Sequence, residues 1–125
     1  MQAFISYSRE DDTFADLMRM KLKEAGIGTW MDVDTSPGDE WRTRIDDGIK
    51  TSDALIVVLS PAACNSPYVT YEWAFAIGYG KRVIPVLLKP AKFHPRLEEF
   101  QYLDFQELRM APWDKLVPRE GICVA

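Results

Sequence analysis

Apolar and polar positions run in short blocks along this chain, and the repeat changes from block to block. Ala3 to Ser6 is a brief apolar run that predicts a first strand. Ser8-Arg9-Glu10-Asp11 resembles a capping box, in which a side-chain oxygen takes up free amides at a helix start. Phe14, Leu17, Met18, Leu22 and Ala25 then recur at helical spacing, and Gly26 supplies the stop. Ile27 to Met31 predicts a second strand. The polar stretch Asp32 to Glu40 predicts a loop turning at Pro37-Gly38. Trp41, Ile45 and Ile49 space out a short second helix.

Ala54 to Leu59 is continuously apolar and rich in β-branched residues, as a strand buried on both faces requires. Ser66-Pro67 is a helix start, with Ser as cap and Pro at the first helical position, and the helix runs to about Gly78 or Gly80. Val83 to Leu88 is a fourth strand despite Pro85, whose missing N–H predicts a position near an edge or a local bulge. Pro90 and Pro95 mark a loop, Tyr102 to Phe105 a weaker fifth strand, and Pro112 to Leu116 the start of a last helix. Strand alternating with helix predicts an α/β domain. At this length the expected form is a flavodoxin-like three-layer sandwich with a five-stranded parallel sheet in order 2-1-3-4-5.

The chain's 125 residues suit one domain, and the expectation is a single domain over 1–125 cut from a longer protein. Hydrophobic residues at 47% and charged residues at 27% are those of an ordinary globular chain and exclude a disordered one. A net charge of −4 with no basic stripe argues against nucleic-acid binding. No apolar run is long enough to span a bilayer, and no secretory signal opens the chain. Two cysteines, Cys64 and Cys123, do not make a disulfide framework, and one histidine, His94, cannot assemble a zinc site. The expectation is a cytoplasmic, metal-free domain that meets neither nucleic acid nor membrane.

In a sheet of this order, ligands bind beyond the carboxyl ends of the strands, where strand order reverses. That place lies between the first and third strands. Tyr7, Ser8 and Arg9 follow the first, Ser60 to Ser66 follow the third, and Asp32 to Trp41 borders the same edge. Familiar catalytic motifs are missing. Gly26-Ile27-Gly28 is no dinucleotide fingerprint, Gly80-Lys81 is no phosphate loop, and no G-x-S-x-G elbow occurs. A phosphoacceptor domain of this fold needs acids ending strands one and three, where this chain has Ser6-Tyr7-Ser8 and Ser60. One carboxylate stands out. Glu72 shares a helix face with Tyr68 and Ala76, flanked by Phe75 and Tyr79. Burial there would raise its pKa and suit it to proton or cation work. Spacing alone favours plainer roles: a partner for the helix dipole or for Arg82, or a solvated face. Likewise Arg9 reads as a surface charge, Trp41 as core packing, Asp32 as a turn residue and Cys64 as a small buried side chain.

Five segments in order resemble the Toll/interleukin receptor (TIR) domain family. Phe4-Ile5-Ser6-Tyr7-Ser8 with Arg9-Glu10-Asp11-Asp12 matches its first box. Gly26-Ile27 through Trp30-Met31-Asp32, with Pro37-Gly38 and Trp41, matches its second strand and the following BB loop. Ser52-Asp53 with Ile56-Val57-Val58-Leu59-Ser60-Pro61 matches the third strand. Ser66-Pro67-Tyr68 through Glu72-Trp73 matches the glutamate-bearing helix, and Ile84-Pro85-Val86 the fourth strand.

The resemblance implies two functions. Many bacterial, plant and neuronal members are NAD glycohydrolases, which break the nicotinamide–ribose bond and release nicotinamide with ADP-ribose or a cyclic variant. Animal receptor and adaptor members mostly serve as self-associating scaffolds, the alternative for this chain. A third and weaker reading is a nucleoside-acting ribosyl transferase of similar fold. The preferred expectation is an NAD-cleaving enzyme of prokaryotic type in immune, anti-phage or cell-death signalling, with NAD as substrate and no cofactor. The family's catalytic glutamate falls on Glu72. The tryptophan often found four residues earlier is Tyr68 here, and the usual neighbouring cysteine is Val69. Tyr7, Ser8, Arg9, Asp32, Trp41 and Tyr68 are the expected substrate-binding residues. Asp34, Pro37 and Gly38 are the expected assembly loop, through which other TIR domains would complete the pocket.

Overall fold

The computed structural model describes residues 1–31 and 40–117. Its sheet has five parallel strands: β1 (Gln2–Ser6), β2 (Gly28–Met31), β3 (Ala54–Leu59), β4 (Arg82–Leu87) and β5 (Leu103–Asp104). Their order is β2-β1-β3-β4-β5, as the pattern predicts. The described helices are α1 (Asp12–Glu24), α2 (Trp41–Thr51), α3 (Pro61–Cys64), α4 (Pro67–Gly78) and α5 (Trp113–Leu116).

Strand side chains alternate between the two faces, and that sorts the core into two halves. Ala3 and Ile5 of β1, with Ile56 and Val58 of β3, pack with Phe14, Met18 and Leu22 of α1. Phe4 of β1, with Leu55, Val57 and Leu59 of β3, packs with Ile45 and Ile49 of α2 and with Val69, Trp73 and Ala76 of α4. Every residue of β3 is buried, which explains its unbroken apolar run. Continuing the same alternation, Ser6 follows Phe4 toward α2 and α4, while Ser60 follows Val58 toward α1. Both serines are buried. Two glycines matter for the outline. Gly26 has φ +79° and ends α1 as expected. Gly48 lies inside α2, where a Cβ would come within 2.6 Å of the Trp30 ring. Its bare backbone lets Trp30 lie between the helix and Phe4, with which it stacks at 4.9 Å.

Several expectations shift. Ser8 does serve as a cap, but of a single 3-10 turn, Arg9–Asp11, accepting from the Glu10 N–H; α1 begins only at Asp12. The short helix α3 was not foreseen, although Ser60-Pro61 carries the same start signature as Ser66-Pro67. Ser60 Oγ accepts the Ala63 N–H at 3.1 Å. Cys64, expected to be buried, is exposed. Strand β5 is shorter than Tyr102 to Phe105.

Pro85 is not in an edge strand, because β4 lies between β3 and β5. Leu88 N–H bonds Leu59 O, and Leu87 O accepts from Phe105. Counting back in alternation turns the Pro85 nitrogen toward β5. Strand β5 begins opposite Val86, one residue later, so the missing N–H leaves no described ladder bond unmade. Below that point β4 and the chain entering β5 border a cavity of about 410 Å³ lined by Arg82, Val83, Ile84, Phe100, Leu103 and Lys115.

Candidate functional site

The site is built at the carboxyl ends of β1 and β3, where the strand order reverses. Helix α4 starts there. Ser66 caps it, its Oγ accepting the Val69 N–H at 3.3 Å, and Pro67 takes the first turn. The buried stripe of α4 is Val69, Glu72, Trp73 and Ala76. Glu72 is thus a carboxylate in an otherwise apolar row, 3% exposed. Two of the plainer roles for Glu72 do not apply. It is not on a solvated face, and Arg82, the cation considered for it, lies at the amino end of β4. The Ser6 hydroxyl donates instead to Glu72 Oε1 at 2.6 Å.

A second serine–carboxylate pair occupies the opposite face. Asp11 stands at the cap position of α1 but makes no capping bond. Its side chain turns inward, where Ser60 Oγ donates to Oδ2 at 2.5 Å and Lys89 Nζ approaches Oδ1 at 3.6 Å. The Asp11 carboxylate is 1% exposed and the Lys89 side chain 60%. This group ties the β1–α1 turn to the ends of β3 and β4.

Aromatic side chains flank Glu72 along α4. Tyr68, one turn earlier, is 56% exposed and meets the Trp41 ring edge to face at 5.2 Å. Trp41 also meets Tyr71 at 5.8 Å, and Arg42 lies over both rings. The Tyr71 hydroxyl donates to Asp46 Oδ1 at 2.6 Å. Burial, together with that carboxylate, pushes the Tyr71 hydroxyl above the ordinary tyrosine range, and Arg42 opposes the shift.

Of the expected site residues, Trp41 and Tyr68 touch, and Glu72 follows Tyr68 on the same helix. The Tyr68-Glu72-Ala76 face is not uniform, since Tyr68 sits at its exposed margin. Tyr7 lies half-buried against the α1 half of the core, the opposite side of β1 from Ser6. Arg9 is exposed. Asp32, Asp34, Pro37 and Gly38 fall outside the described residues, as does Cys123. Ser6, Asp11, Tyr71 and Asp46 are not among the expected site residues, and Ser60 is expected there only as the start of the segment after the third strand. The signal for the two serines was a polar residue ending an apolar strand.

This combination of sheet order, boxed turn after β1 and glutamate-bearing helix defines a TIR domain, and the TIR family model matches residues 3–117. The chain belongs to that family. Among its relatives, the probable 2' cyclic ADP-D-ribose synthase BdTIR of Brachypodium distachyon is 30% identical over 95 residues, 72% of this chain and 42% of that protein. The NAD(+) hydrolase TcpC of Escherichia coli O6:H1 is 37% identical over 71 residues, 55% of this chain and 23% of that protein. This chain therefore spans less than half the length of either. The TIR domain of the Toll-related receptor TRR-2 from Hydra magnipapillata superposes with a TM-score of 0.74 at 29% identity, covering 86% of each chain.

Proposed function

We propose that this TIR domain is an NAD nucleosidase, cleaving the nicotinamide–ribose bond to give nicotinamide and ADP-ribose or cyclic ADP-ribose. One observation carries the reading: Glu72 is buried at the switch point of the sheet and held there by the Ser6 hydroxyl at 2.6 Å. The names of two relatives, a cyclic ADP-ribose synthase and an NAD hydrolase, support it.

The chemistry needs little machinery. The pair of electrons in the glycosidic C–N bond leaves with the nicotinamide nitrogen. Nicotinamide departs neutral, so no general acid is required. The ribose is left with oxocarbenium character, and a carboxylate fixed beside it stabilises that charge as it develops. Water then adds to the cation and loses a proton, giving ADP-ribose. Capture by the adenine moiety of the same molecule gives a cyclic product. Tyr68, exposed at the margin of the Glu72 stripe, offers a ring face to the substrate, with Trp41 bracing it. NAD is consumed as substrate and no cofactor takes part.

Self-association through the loop holding Asp34, Pro37 and Gly38 switches the domain on in this reading, and its setting is cytoplasmic immune or cell-death signalling. No helix among the described residues is long and apolar enough to cross a membrane.

The test is nicotinamide release from NAD by the purified chain beside Glu72→Ala, run dilute and at high density on beads. Release that the substitution abolishes is expected, and release confined to high density would place activation in assembly. No release from folded protein under either condition would overturn the reading in favour of a scaffold.

A further inference from the structure

A carboxylate that must stabilise a transient cation has to keep both its charge and its orientation. At 3% exposure Glu72 has little water to do either. Ser6 supplies a donor for the orientation. It is fully buried at the last position of β1, on the same face as Phe4, so an apolar residue is the ordinary choice there. Its hydroxyl instead donates to Glu72 Oε1. The partners are 66 residues apart, one on a central strand and one on a helix, so the contact is made by the fold and not by a local turn.

We propose that Ser6 is a positioning residue for the NAD-cleaving reaction. Its hydroxyl donates to Glu72 Oε1 and fixes the rotamer of that carboxylate. A donor on a strand paired on both sides gives the glutamate a stiff reference point. The proposal rests on the nucleosidase reading and goes beyond it, because it assigns the precision of the site to β1.

The test compares Ser6→Ala and Ser6→Cys with the parent chain on beads, measuring nicotinamide release across NAD concentrations. Ser6→Ala is expected to lower kcat by about tenfold to a hundredfold, as for a misplaced catalytic group, with KM within about threefold of the parent. Ser6→Cys keeps the size and a weaker donor, and is expected to fall between the two. Thermal unfolding identifies any variant that fails to fold. Should Ser6→Ala fail, Ser6→Cys carries the test through its kcat alone. Parental kcat in a folded variant, a loss confined to KM, or equal losses in both variants would overturn the proposal. A parent chain that releases no nicotinamide overturns the nucleosidase reading itself, and Ser6 loses its role with it. The two failures are told apart by the parent's own activity.

Discussion

The two faces of the sheet carry the same motif to different ends. On each, a serine ending a central strand donates to a buried carboxylate on the turn or helix opposite. Asp11 is built into the scaffold. Its serine also accepts the Ala63 N–H, and Lys89 lies beside the carboxylate. Glu72 is held by a serine whose hydroxyl makes no second described bond, on a helix whose exposed margin carries Tyr68. The Asp11 network joins three strand ends, whereas the Ser6 bond serves one side chain. A buried carboxylate is thus a brace on one face and, in the proposed function, a reagent on the other.

Substitutions test that contrast. Glu72→Gln keeps shape and can still accept from Ser6. It is expected to lower nicotinamide release by at least about a hundredfold while leaving the melting temperature level or higher, since a buried charge is removed. A drop in melting temperature would make Glu72 a second brace and break the comparison. Asp11→Ala should do the reverse. It leaves the buried Ser60 donor unpaired and costs about 2–3 kcal/mol in urea unfolding, with turnover per folded molecule within about threefold.

Tyr71–Asp46 is a half-buried hydroxyl–carboxylate pair and sharpens the role of burial. Tyr71→Phe should cost about 1 kcal/mol at neutral pH. The Tyr71 pKa is raised above 10.0 in the folded chain. Its contribution is therefore whole below pH 10.0 and declines above it, because the unfolded chain gives up the proton first. Stability curves of parent and Tyr71→Phe should converge as pH climbs past that point. The smallest effect belongs to Lys89→Met. With the lysine mostly exposed, its loss should cost under about 1 kcal/mol and fade in high salt. A larger cost would mean that Asp11 depends on the cation more than on Ser60.

The sheet was legible because its signals are local and repeated. The apolar run Ala54 to Leu59, the Gly26 stop and the Ser66-Pro67 start each fix an element by themselves. Helix α3 escaped because Ser60-Pro61 reads equally as the end of a strand. Glu72 was legible as a candidate from its apolar surroundings, but its burial was not. Helix α4 is apolar on nearly every side, so spacing alone cannot say which stripe turns inward. Ser6 and Asp11 escaped for a different reason. Their partners lie 66 and 49 residues away, and only the assembled register of β1, β3 and α4 brings them together.

Pro85 also marks where the pairing of β4 with β5 begins. On the β4 side the sheet closes with a two-residue strand, and the residue before that pairing has no amide hydrogen to give. Main-chain continuation of one sheet into the next is therefore starved of partners at this border. A second copy meeting this border would find helices and loops there more than paired strand. Contact there would be set by the width of helices and not by the 4.8 Å step between strands.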